Sequence, residues 1–146
     1  MIGNLFRKKA AAAKQSAAKF ENRDLMEAIV GGSLLIAAAD GSIDDGEMEA
    51  LDKLLQTNDK LAHFGPEIGK TIDKFSSMLE AGFRMGKVKI LREIGDISAD
   101  EEGKEEAFVT MLTVAESDGE IDPKEEAMLI EIGKKMGISL KDFDLA

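Results

Sequence analysis

Asp40-Gly41-Ser42-Ile43-Asp44-Asp45-Gly46-Glu47 and Asp118-Gly119-Glu120-Ile121-Asp122-Pro123-Lys124-Glu125 are two writings of one pattern, Asp-Gly-x-Ile-Asp-x-x-Glu, set 78 residues apart. Extending the comparison to Ala37/Ala115 on one side and Leu51/Leu129 on the other gives seven identities over fifteen positions. Each copy follows one apolar helical stretch and precedes another. The chain therefore reads as two diverged helix–acidic turn–helix units, each placing the three carboxylates of the shared pattern in a short turn.

Working outward, helical periodicity accounts for most of the sequence. Leu25, Met26, Ile29, Val30, Leu34, Leu35 and Ile36 predict a helix over 23–39, and Gly31, Gly32 and Ser33 predict close packing against it. Gly41 is placed to end that helix in a left-handed cap. A second helix is expected from Asp44 to about Asn58, with a short helical turn near 59–63. Further helices are predicted over 67–80 and 83–94. Ser98 and Glu101 have capping-box spacing at the start of a helix running to Ser117. Asp122, Pro123 and Glu125 form a helix start, and Gly137 a stop. A final turn capped by Ser139 is expected in the tail. The sum is an all-α, single-domain bundle of about seven helices, with a basic Ala/Lys-rich arm over 1–22 and the helical domain over 23–146.

Composition narrows the chemistry. The chain of 146 residues has no cysteine, no Trp, no Tyr and one histidine, His63. Disulfides, zinc–thiolate sites, thiol chemistry and a Ser/His/Asp triad are thereby excluded or disfavoured. Residues 1–23 carry six bases against one acid, whereas residues 24–146 carry 13 bases and 28 acids. So acidic a body repels nucleic acid. The first twenty residues have two readings: a solvated helix, or an amphipathic contact in which Ile2, Leu5 and Phe6 meet lipid while Arg7, Lys8, Lys9 and Lys14 meet anionic headgroups. No apolar run reaches the ~20 residues that span a bilayer, and the start is unlike a secretory signal. The expectation is a cytoplasmic protein.

Each acidic turn also has two readings. In one, Asp44 and Asp122 are N-caps closed by Glu47 and Glu125, each cap contributing about 1 kcal/mol. That leaves Asp40 and Asp118 at helix C-termini, where a carboxylate opposes the helix dipole. In the other, a hard divalent cation, Ca²⁺ or Mg²⁺, supplies the missing partner. The spacing matches the second half of an EF-hand loop, but the first and third ligand places fall on Ile36 and Ala38, or on Val114 and Glu116. A complete calcium loop is absent. A hydrolase built on these carboxylates would have only Lys53 and Lys124 nearby to fix a substrate, so catalytic residues are not expected.

The paired signatures Ala37-Ala38-Ala39-Asp40-Gly41 and Ala115-Glu116-Ser117-Asp118-Gly119, with the closing Glu-Ile-Gly-Lys-Lys-Met-Gly-Ile-Ser and Asp142-Phe143, resemble the TerB family of bacterial tellurite-resistance proteins. The basic arm and chain length resemble it too; residues 57–97 carry the resemblance least. It implies a non-enzymatic all-α module in a stress-response complex near the inner membrane, partnered by proteins that include an integral membrane protein. It also implies an acidic, divalent-metal-binding face. Carried onto this chain, that face is Asp40, Asp44, Glu47, Asp118, Asp122 and Glu125, with no organic cofactor. The competing expectation is a structural adaptor whose acids only cap helices.

Overall fold

The computed structural model describes residues 22–117 and 119–145. The first twenty residues, with both of their readings, and Asp118 lie outside the described residues. Among the described residues there are six α-helices and no strand: α1 (Arg23–Ala37), α2 (Asp45–Thr57), α3 (Pro66–Ala81), α4 (Phe83–Gly95), α5 (Glu101–Glu116) and α6 (Pro123–Met136). Six of the about seven expected helices fall in the described residues, and the two short turns expected near 59–63 and in the tail are 3₁₀ turns, Ala62–Phe64 and Leu140–Phe143. The first is confined between the end of α2 at Asn58 and Pro66, and it is held by i→i+3 bonds such as Phe64 N–H to Leu61 C=O.

α1 is the axis of the bundle. It buries eleven of its fifteen residues and packs against all five other helices. A helix apolar on every side must be surrounded. Its Gly31 and Gly32 permit that: a Cβ at Gly31 would stand 3.0 Å from Ile90 Cγ2, and one at Gly32 would stand 2.5 Å from Met111 Sδ. The small-residue stretch thus seats α4 on one side and α5 on the other. α3 and α4 form a tight hairpin through Gly82. Its closeness depends on Gly86, where a Cβ would meet the Met78 carbonyl oxygen at 2.5 Å.

Both ends of the described chain are fastened by long-range contacts. Asn22 caps α1, accepting from the Asp24 amide at 2.8 Å, and donates through Nδ2 to the Ser98 carbonyl at 2.6 Å. The Ser98 amide in turn donates to Asp24 Oδ2. Ser98 is therefore not the cap of α5, as its spacing suggested. Asp100 is, accepting from the Gly103 amide at 2.8 Å. At the other end, Ser139 sits at the start of the final turn without a side-chain capping bond. What holds that turn is Phe143, edge-on to Phe108 with ring centroids 5.2 Å apart, in one continuous core with Leu140 and Met136.

Candidate functional site

The two acidic turns fold alike. Asp44 caps α2 at φ −84°, ψ 169°, and Asp122 caps α6 at φ −80°, ψ 168°. Asp44 Oδ1 accepts from the Glu47 amide at 2.7 Å while Glu47 Oε1 accepts from the Asp44 amide at 3.3 Å. In the second turn the matching bonds are 2.8 Å and 3.0 Å, between Asp122 and Glu125. Both boxes form because an aspartate and a glutamate three residues apart satisfy two otherwise orphaned amides.

The glycines do a different job from the one their position suggested. α1 ends at Ala37 with Ala38 as its cap, so Gly41 lies beyond the helix end. Gly41 and Gly119 have φ of 104° and 128°, backbone that favours glycine, and they reverse the chain between helices. Gly137, at φ 73°, is the left-handed helix cap.

Asp40, whose charge had no evident partner in the sequence, accepts a bond from the Ser42 amide through Oδ1 at 3.2 Å. This is an Asx turn, which gives the carboxylate a local structural role. Asp40, Asp44 and Asp122 are all exposed.

What the fold adds is a convergence. Glu47 from the first turn and Glu125 from the second line one groove of about 170 Å³. Its walls are Ile36 and Ala37 of α1, Ala50, Leu51 and Leu54 of α2, and Val114 and Ala115 of α5. Ser33 and Ser117 also line it. Ser33 is 3 % exposed, and its Oγ has no hydrogen-bond partner. Leu54, by contrast, is one of the few large apolar side chains left open, at 38 %. Sequence spacing pointed to Glu47 and Glu125 separately. It gave no sign of Ser33 or Leu54, which read as packing and amphipathic-face residues.

The five of these carboxylates that are described do not all meet. Among the described residues, no three His, Cys, Asp or Glu side chains converge so as to hold a metal ion. The groove brings together two of the predicted acids and leaves Asp40, Asp44 and Asp122 to their turns. An oxygen-rich site for Ca²⁺ or Mg²⁺ wants about six or more ligands, and this donor set does not fit it by itself. A second acidic cleft, of about 270 Å³, lies where Asp24, Glu27, Glu93 and Asp96 surround Phe75 and Ile94. Glu93 is partly neutralised there, its Oε1 2.9 Å from Lys74 Nζ. His63 is exposed and stacks against Phe64 with centroids 4.3 Å apart.

The family model for Tellurite resistance protein TerB matches residues 26–146. The chain belongs to the TerB family. The match runs through both turns, the groove and the segment 57–97 that resembled the family least. No curated protein and no solved structure matches the chain significantly. Within the described part of this TerB domain, no helix is long and apolar enough to cross a membrane.

Proposed function

We propose that this TerB-family chain is a non-enzymatic interaction module of a bacterial tellurite-resistance and stress-response complex, and that it works through the face framed by its two acidic turns. One observation carries the proposal: Glu47 and Glu125, equivalent residues of the two turns, line one groove with the exposed Leu54 at its edge. Leu54, exposed beside these carboxylates, is apolar surface of the kind a partner covers. The parallel turns support reading the two halves as a diverged repeat whose acidic ends have been kept together. Membership of the family supports reading protein partners at or near the inner membrane and a cytoplasmic location. The basic residues 1–20 supply an anionic-surface contact.

The test is in cells whose tellurite resistance requires this chain. A Leu54→Asp, Glu47→Gln variant, expressed and melting like the parent, is expected to lose protection. Full protection by that variant overturns the proposal.

A divalent cation at the turns is a second reading, favoured by Glu47 and Glu125 lining one groove. Metal-stripped protein is expected to gain melting temperature in millimolar Ca²⁺ or Mg²⁺, and an Asp40→Ala, Asp118→Ala variant to lose that gain. No gain in the parent removes the cation.

A further inference from the structure

We infer that this chain associates with copies of itself head to tail, the basic outer face of α4 on one copy seating against the acidic outer face of α2 on the next. The inference rests on the reading of the acidic face as the working surface, and it names what covers that face.

The two helices are opposite in charge. α4 carries four bases and one acid, and it is the only one of the six described helices in which bases outnumber acids. α2 carries four acids and one base, Lys53. These two helices also hold the three large apolar side chains that the described chain leaves exposed: Met85 at 61 % and Val88 at 47 % on α4, and Leu54 at 38 % on α2.

On α4 the apolar pair shares one side with Arg84, Lys89 and Arg92, because helical spacing brings these five positions together, and all five are exposed. Lys87 lies on another side and is tied at 2.9 Å to Glu131 of α6. Among the described residues, Arg84, Lys89 and Arg92 have no such carboxylate partner, and Asp45, Glu47 and Glu49 of α2 have no basic one. Arg92 stands in the last turn of α4, where a cation offsets the helix dipole. Arg84 stands in the first turn, where a base opposes it, so helix stability does not account for that charge.

Spacing sets the register. Glu47, Ala50 and Leu54 form an exposed i, i+3, i+7 stripe along α2, and Met85, Val88 and Arg92 form one along α4. Laid antiparallel, the stripes set Met85 against Leu54, Val88 against Ala50 and Arg92 against Glu47. Laid parallel, each charge meets an apolar residue. Pairing either face with its own copy brings like charges together, which disfavours a two-fold contact and leaves the heterologous one. α4 packs on α1, α3 and α6, whereas α2 packs on α1, α3 and α5, so one copy can use both faces at once. Such a contact repeats from copy to copy, into a ring or an open filament.

The test is sedimentation of the full chain at rising concentration, to about 1 mM, because one small patch gives a weak contact. Oligomers that grow with concentration and shrink in high salt are expected. Two variants at exposed positions, Met85→Asp, Val88→Asp and Leu54→Asp, Glu47→Gln, should melt near the parent, and each alone should associate at least about tenfold more weakly. Mixed, they should form a one-to-one dimer and stop there, because the first keeps α2 and the second keeps α4. A parent that stays monomeric overturns the inference, as does a mixture that forms no dimer. Association that survives in the α4 variant also overturns it, and leaves the basic residues 1–20 as the group on the acidic face. A monomeric parent that cosediments with anionic lipid vesicles, and ceases to in the α4 variant, makes lipid the occupant of the α4 stripe. The two proposals separate. A monomeric parent whose α2 variant still loses cellular protection sinks only self-association, whereas lost association with full protection in the α2 variant sinks the working-surface reading.

Discussion

α2 and α6 begin alike and are buried differently. Each opens on the same Asp/Glu capping box, yet α2 buries only Leu51 and Leu55, whereas α6 buries Met128, Leu129, Ile132, Gly133 and Met136. At the spacing of 78 residues, Leu51 pairs with Leu129, and both are in the core. Ala50 pairs with Met128 and Leu54 with Ile132; there the first helix is open and the second closed. The open positions of α2 are the wall of the groove. The same local start can therefore serve two ends. On α6 it anchors a helix that holds the fold, and on α2 it presents a helix that can be used. Pro123 at the start of α6, where α2 has Asp45, and the half-buried Met48 of α2, where α6 has the exposed Glu126, are the local differences that accompany this split.

The largest effect expected from breaking this comparison is at its most unequal pair. Ile132 is fully buried, so Ile132→Ala should cost about 2–5 kcal/mol. Leu54→Ala, at a position 38 % exposed, should cost less than about 1 kcal/mol. Urea unfolding of the two variants measures the gap. Equal losses would mean that α2 is as integral to the core as α6, and the groove wall would become ordinary packing.

The capping boxes come next. Asp44→Ala and Asp122→Ala each remove a bond of under 3 Å to an N3 amide and should each cost about 1 kcal/mol. Where the cost appears should differ. Loss of the α6 cap is expected to lower the global melting temperature. Loss of the α2 cap is expected to show first as faster amide exchange within α2, because few buried contacts tie that helix down. Uniform exchange across both helices would erase the distinction.

Sequence reading succeeded where the physics is local and failed where it is not. Both capping boxes, the Pro start of α6 and the Gly137 stop were legible because each depends on residues within one turn. Ser98 was misread because its spacing to Glu101 satisfies a local rule while Asn22 and Asp24, more than seventy positions away, claim its carbonyl and amide. Asp100 then takes the cap two residues later. The Asx turn of Asp40 went unread for the opposite reason, since such a turn is local but depends on backbone direction after the helix ends. The groove was illegible altogether. No periodicity shows that Glu47 and Glu125 will line one groove, or that a serine in a stretch of small residues will be left with an orphaned hydroxyl.

That hydroxyl gives a smaller prediction. An unpartnered buried hydroxyl costs about 1 kcal/mol or more, and alanine fills nearly the same space. Ser33→Ala should therefore raise stability by up to about 1 kcal/mol in the free protein, read from denaturant midpoints at unchanged slope. A loss of stability would show that the hydroxyl already has a compensating partner in solution.

The smallest effect is the most discriminating for the turns themselves. Asparagine can accept the same bond from the Ser42 amide that Asp40 accepts, so Asp40→Asn keeps the Asx turn and removes only the charge. That charge lies just past the C-terminal end of α1, where it opposes the helix dipole, and α1 has no basic residue in its last turn to offset it. If the turn is all that Asp40 supplies, the variant should be more stable by a few tenths of a kcal/mol, with the same melting temperature in chelator and in millimolar Ca²⁺. If the carboxylate serves a cation, the substitution removes a ligand charge. The parent would then show a Ca²⁺-dependent rise that the variant lacks, and the two acidic turns would differ in packing while sharing one electrostatic purpose.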